Sequence, residues 1–167
     1  GIDPSSVSPT LSSGGGAIVF HNGRNFSVIR LNQTEADVAR TFASWLDIER
    51  SENDPEIICA LEEVGARPGD GRGSLFKFAT GYGFLRGLLV ANQVPFETVR
   101  PHTWERTFVG VKPKKLPKHK WKNRLKAKAQ ELLPQESVIL ATADAYLLAL
   151  YAKLHLDYGY RREPLRY

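Results

Sequence analysis

The sequence predicts an α/β domain built on a mixed sheet of about five strands flanked by helices. Two observations predict it: an Asn-Gly hairpin signal near the start, and later β-rich runs separated by helical segments. A hairpin supplies antiparallel pairing, whereas helical crossovers supply parallel pairing. No internal repeat is present, and the 167 residues read as one domain, 1–167, long enough to bury a substantial core.

The elements follow in order. Ser5 to Gly16 is rich in Ser, Gly and Pro and reads as a flexible loop. Ala17 to Phe20 and Phe26 to Leu31 are short strands around Asn22-Gly23. Thr34 opens a helix with Glu35 and Asp37 in its first turn and Val38, Phe42, Trp45 and Leu46 on its apolar face. Ile57 to Leu61 has the continuous apolar character of a strand buried on both faces. A loop from Arg67 to Gly73 leads into a long helix, Ser74 to Asn92, whose Gly81, Gly83 and Gly87 suggest close approach of another backbone. Val94 to Val99 is a further strand, and Trp121 to Leu133 a helix ended by Pro134. Ser137 is placed to cap a last helix to about Leu154, with Leu140, Ala143, Leu147, Leu150 and Leu154 on one face.

Composition narrows the function classes. With 42% apolar and 25% charged residues, a largely disordered chain is excluded. No apolar run nears the roughly 20 residues of a membrane span, so no membrane partner is expected, and no secretory signal opens the chain. The single cysteine, Cys59, reads as a small core hydrophobe; it excludes an internal disulfide framework and fits a reducing compartment.

The net charge is +5, but the excess is local. Lys112, Lys114, Lys115, Lys118, Lys120, Lys122, Arg124, Lys126 and Lys128 follow one another with no acid between them. Their first part, 112–120, reads as an exposed basic loop broken by Pro113 and Pro117. Such crowding of like charge is relieved by an anionic partner, and nucleic acid suits it better than a membrane surface, which requires a broad apolar helix face. Arg67 and Arg72, beside flexible glycines, and Lys77 are further candidates for phosphate contact. Phe76, Phe78, Trp104 and Trp121 read as packing residues, and His102 as a structural histidine.

Three acids occupy unusual places. Asp3 ends an apolar start, Glu62 directly follows the buried run Ile57–Leu61, and Asp144 interrupts an apolar helix. Singly, each is ordinary as a cap or a salt bridge. Two acids ending strands, with a third on a helix able to pack over them, suit Mg²⁺ or Mn²⁺ rather than zinc, because hard cations take oxygen ligands. Two such ions would activate water and stabilise the leaving oxygen of a phosphodiester.

These residues also carry a resemblance. GIDP, ALEEV, GYGFLRGLLVA, VRPHTW and ADAYLLALY occur in the order found in RuvC-like Holliday junction resolvases, of the ribonuclease H-like superfamily. The likeness spans essentially the whole chain and is greatest to the phage-type and chloroplast branches; the tyrosine between two glycines, Tyr82, is its most specific mark. It implies a ribonuclease H-like sheet and a homodimeric endonuclease that nicks four-way junction DNA symmetrically, using two Mg²⁺ ions, with Mn²⁺ as substitute. By motif match, Asp3, Glu62 and Asp144 would be the catalytic metal ligands. It further implies a DNA-associated protein of a bacterial or phage-infected cytoplasm or a chloroplast nucleoid. A strand would precede Gly1, so a longer native chain is expected. The helix from Ser74 to Asn92 is the expected dimer surface.

One departure stands out. Resolvases of this kind place a further acid or histidine three or four residues before the helix aspartate, where this chain has Ala141 and Leu140. Glu63, Asp70 and Glu136 are the possible stand-ins. The alternatives to an active resolvase are therefore a catalytically silent junction-binding protein and a related nuclease acting on RNA–DNA hybrids.

Overall fold

The computed structural model describes residues 1–4, 16–53, 57–65 and 71–156. Five strands form one mixed sheet in the order β3-β2-β1-β4-β5. They are β1 (Ile2–Asp3), β2 (Ala17–His21), β3 (Phe26–Arg30), β4 (Cys59–Glu62) and β5 (Phe96–Val99). Five α-helices accompany them: α1 (Glu35–Asn53), α2 (Arg72–Ala91), α3 (Pro101–Val109), α4 (Lys118–Leu132) and α5 (Ala143–Tyr151), the last running into a π-helical turn at Ala152–Leu156.

The hairpin forms where the Asn-Gly pair predicts it. Asn22 Oδ1 accepts from the backbone N–H groups of Arg24 (3.1 Å) and Asn25 (2.9 Å), and Gly23 takes a φ of +89°, a conformation open to glycine. It joins β2 to β3 antiparallel, and β2 also pairs antiparallel with β1. The β1–β4 and β4–β5 pairs are parallel. Thr34 caps α1 as expected, its hydroxyl accepting from the Asp37 N–H at 3.2 Å.

Strand alternation divides the core in two. Ile2, Ile18, Phe20, Cys59 and Leu61 pack with Val38, Phe42 and Leu46 of α1 and Leu85, Leu88 and Leu89 of α2. Ala17, Val19, Ala60 and Val99 face the opposite layer, formed by Trp104, Trp121, Leu125, Ala129 and the apolar face of α5. Helix α5 lies against β1, β2 and β4. Its alanines, Ala143, Ala145 and Ala149, let it sit close to the sheet, and every residue from Ala143 to Ala149 is buried.

Several sequence expectations are corrected. The basic segment 112–120 is not loop throughout, because α4 starts at Lys118 behind Pro117. Helix α3 is an addition to the expected elements, and His102, in its first turn, is exposed rather than structural. The last helix begins at Ala143, not at Ser137, and Leu140 and Leu154 of its expected apolar face are about half exposed (51% and 54%). Phe76 projects into solvent at 75% exposure instead of packing, whereas Phe78 is half-buried. Gly83 and Gly87 are exposed, and among the described residues no backbone comes near them, so the close approach they suggest is not made there. Trp104, Trp121 and Cys59 are buried as expected. Among the described residues no helix is long and apolar enough to cross a membrane.

Candidate active site

The site starts from strand register. Ile2 pairs with Leu61 across the parallel β1–β4 ladder, so the next residues, Asp3 and Glu62, end neighbouring strands on the same face. Ile2 and Leu61 point to the α1/α2 layer, which sends Asp3 and Glu62 toward α5. Asp144, in the first turn of α5, lies over that face and is almost fully buried at 1% exposure. Asp3 is buried too. The structure therefore brings together the three acids that are far apart in sequence.

Their mutual repulsion is visible in Glu62. Burial first, and then the charges of Asp3 and Asp144, push its carboxyl up to about 8. Lys122 and the indole N–H of Trp104 oppose the rise. Trp104 donates to Glu62 Oε1 at 3.3 Å while its ring fills the core between sheet and α4.

Lys122 enters the site from α4. Trp121, Leu125 and Ala129 anchor that helix in the core. Lys122, one position on from Trp121, reaches over to form an ion pair with Asp144 Oδ2. Burial pulls its ammonium down, but Asp144, Asp3 and Glu62 outweigh that and hold it above the ordinary lysine value. Sequence reasoning places Lys122 among the phosphate contacts; its neighbours are the carboxylates.

A fourth acid, missed by sequence reasoning, lies close by. Glu105, one turn into α3, is pushed up by burial and by Asp144, against the opposing effects of the Trp121 indole, Lys122 and Lys112. A signal for it exists in the sequence: Pro101 is a favoured first residue of a helix, and a helix there turns Trp104 and Glu105 toward the sheet. Two possible stand-ins for the missing ligand are otherwise engaged. Glu63 pairs with Arg100 at 3.0 Å, and Glu136 accepts from the Tyr146 hydroxyl at 3.1 Å. Asp70 and Arg67 lie outside the described residues.

Gln130 ties the segment that follows α4 back to that helix. Its amide donates to the carbonyls of Leu133 (3.1 Å) and Glu136 (2.8 Å), and its oxygen accepts from the Val138 N–H at 3.2 Å. The connection between the two helices is thereby tied to the end of α4.

The other described basic candidates are exposed. Lys112, Lys114 and Lys115 lie on the exposed segment before α4, and Lys118, Lys120 and Arg124 are exposed on α4 itself. Arg72 and Lys77 are exposed on the first turns of α2. A cavity of about 680 Å³ is lined by Phe20, Trp45, Glu49 and Cys59 among others, and none of the three acids lines it.

The chemistry of the donors fits a hard divalent cation: three carboxylates share one face, and Asp144 Oδ1 is buried without a hydrogen-bond partner. Their spacing is less complete. Among the described residues no three His, Cys, Asp or Glu side chains are gathered as a ready metal cage. Lys122 instead pairs with the other Asp144 oxygen, Oδ2.

Compared with solved structures, the chain is similar to Thermus thermophilus RuvC in complex with Holliday junction substrate, at 15% identity and a TM-score of 0.53. The alignment covers 87% of this chain and 92% of that one. The fold is RuvC-like. A second Thermus thermophilus RuvC structure matches at 15% identity and a TM-score of 0.49, over 86% of this chain and 87% of that one. No protein-family description and no curated protein matches the sequence. The RuvC-like fold is a ribonuclease H-like α/β arrangement, here with the five-stranded mixed sheet between two helical layers.

Proposed function

We propose that this protein is a metal-dependent endonuclease that nicks four-way junction DNA. The observation that carries this reading is the meeting of Asp3, Glu62 and Asp144 on one face of a RuvC-like sheet, beside a helix with exposed lysines. Asp3, Glu62 and Asp144 would hold Mg²⁺, or Mn²⁺ in its place. The metal would supply a water of lowered pKa and a positive charge for the departing phosphodiester oxygen.

The chain's own residues do the rest. The two strand ends set Asp3 and Glu62 side by side, and Trp104 orients the Glu62 carboxylate through its N–H. Lys112, Lys114, Lys115, Lys118, Lys120 and Arg124 neutralise the DNA backbone, with Arg72 and Lys77 meeting it from the start of α2 and Arg67 as a further phosphate contact. Symmetric nicking calls for two sites related by a two-fold axis, so the protein acts as a homodimer, with α2 as its contact face. The test is a nicking assay on a synthetic four-way junction. Cleavage that requires Mg²⁺ or Mn²⁺ and collapses in Asp3→Asn supports the reading; cleavage persisting in EDTA overturns it.

A second reading has an observation of its own. Leu140 and Ala141 bring no ligand toward Asp144, and the described acids form no assembled cage. A junction-binding protein without cleavage is consistent with both. A gel shift on four-way DNA beside the nicking assay separates the two, because a silent binder shifts the junction and leaves it uncut.

A further inference from the structure

Lys122 places a positive charge where the carboxylates meet. Its ammonium pairs with Asp144 Oδ2 and also faces Asp3 and Glu62. A metal ion and an ammonium cannot both occupy that side of Asp144, since they would compete for one oxygen and repel each other. The other oxygen, Oδ1, is buried and has no hydrogen-bond partner.

We propose that the Lys122 ammonium stands in for one of two metal ions, so that the site takes a single divalent cation through Asp3, Glu62 and Asp144 Oδ1. The inference rests on the metal-dependent reading above and deepens it. Formal charge supports it. With Asp3, Glu62, Asp144 and the neighbouring Glu105 ionised, and Lys122 and Lys112 charged, two negative charges remain, which one divalent ion neutralises. A second ion would leave excess positive charge in a largely buried site, where uncompensated charge is costly.

The lysine is also held in place. Helix α4 buries Trp121, Leu125 and Ala129, which fixes the azimuth of Lys122. Gln130 ties the end of that helix to the segment leading into α5, which fixes Lys122 relative to Asp144. In the turn before α5, the Thr142 hydroxyl is spent on the Ile139 backbone. Leu140 is half exposed, Ala141 has only a methyl group, and neither side chain offers an oxygen or nitrogen for a second ion.

The test counts Mn²⁺ bound to the protein without DNA, by electron paramagnetic resonance of the free ion and by calorimetry. Lys122→Met keeps side-chain length on a helix surface and removes the charge; Lys122→Gln serves as a second variant, with circular dichroism reporting helix content. One ion bound to wild type and two to the folded lysine variants is the expected result. Asp144→Asn weakens the wild-type ion at least tenfold. Two ions in wild type overturn the inference and leave the metal-dependent reading intact. One ion in wild type and variants alike overturns the role of the lysine. No ion in wild type but one in the variants overturns the single-cation site, making the lysine a block. No ion in any of them overturns the inference together with the reading beneath it.

Discussion

Trp104 donates its indole N–H to the Glu62 carboxylate across 3.3 Å, joining the helix that follows β5 to the end of β4. A buried tryptophan rarely serves packing alone, because its N–H needs a partner, and here the partner is a member of the acid cluster. Trp104→Phe keeps most of the ring and deletes the donor. The expected cost is about 1–3 kcal/mol of stability, from the acceptor left without its bond together with the smaller ring. Losing the donor also raises the Glu62 carboxyl further, since this hydrogen bond lowers it. Urea denaturation measures the first effect. A pH–nicking profile displaced to higher pH reports the second.

Glu62 makes stability depend on pH in an unusual direction. Its folded value, about 8, lies above the 4.5 of an ordinary glutamate, so the native state binds more protons than the unfolded chain between those values. Stability without metal therefore falls as pH rises from about 5 to about 8, then levels off. Glu62→Gln removes this slope and is more stable than wild type at pH 8.5, with little difference at pH 5. Thermal melts in EDTA across that range check it; a wild-type midpoint that rises with pH, once other groups are controlled by the variant, contradicts the assignment.

The exposed basic side chains of α4 are the proposed DNA contacts, and of the three only Arg124 stacks on a core residue, the Trp121 ring. Replacing Lys118, Lys120 and Arg124 together by Gln shifts the melting temperature by no more than about 6 °C, since surface changes of this kind are worth about ±0.5 kcal/mol each and a chain of this size moves by about 2–4 °C per kcal/mol. Removing one neutralised phosphate reduces the slope of log affinity against log salt by about 0.9. The triple variant is thus expected to flatten that slope by two to three units (about 0.9 for each side chain). A salt series of junction gel shifts provides the number, and an unchanged slope removes these residues from the interface.

Helix α2 provides a test of assembly. Gly83 and Gly87 are exposed with nothing nearby, so alanine fits at both and favours the helix by about 1 kcal/mol at each position. Gly87→Glu on the same face introduces a charge that a close helix–helix contact cannot accept. Light scattering is expected to show a dimer for wild type and a monomer for Gly87→Glu. A wild-type monomer at working concentration ends the proposal for this face.

Much of the sheet was legible because its signals are local. Asn22-Gly23 sets the hairpin, Thr34 sets the start of α1, and the run before Glu62 sets a buried strand, although pairing begins only at Cys59. The acids Asp3, Glu62 and Asp144 stand out because each interrupts an apolar stretch. What escaped the sequence was long-range. Lys122 sits among eight other basic residues from Lys112 to Lys128, and only the packing of α4 beside α5 distinguishes it from its neighbours. Helix α3 is hidden because Pro101 reads as the end of a strand, when a proline behind the extended Arg100 is equally a helix start. Ser137 is a plausible cap, but Gln130 draws the chain at Leu133, Glu136 and Val138 into a turn and delays α5 to Ala143.

That glutamine has a consequence for evolution of the chain. Because Gln130 ties the connection to α4 and the Tyr146 hydroxyl of α5 bonds Glu136 within that connection, the distance from the lysine to the aspartate is insulated from drift in the outer surface of either helix. Lengthening the stretch between Pro134 and Ser137 would break the grip and separate the pair, even though no residue of the pair had changed. Insertions there should be far rarer than in the segment before Lys118, where the chain can grow without moving the pair.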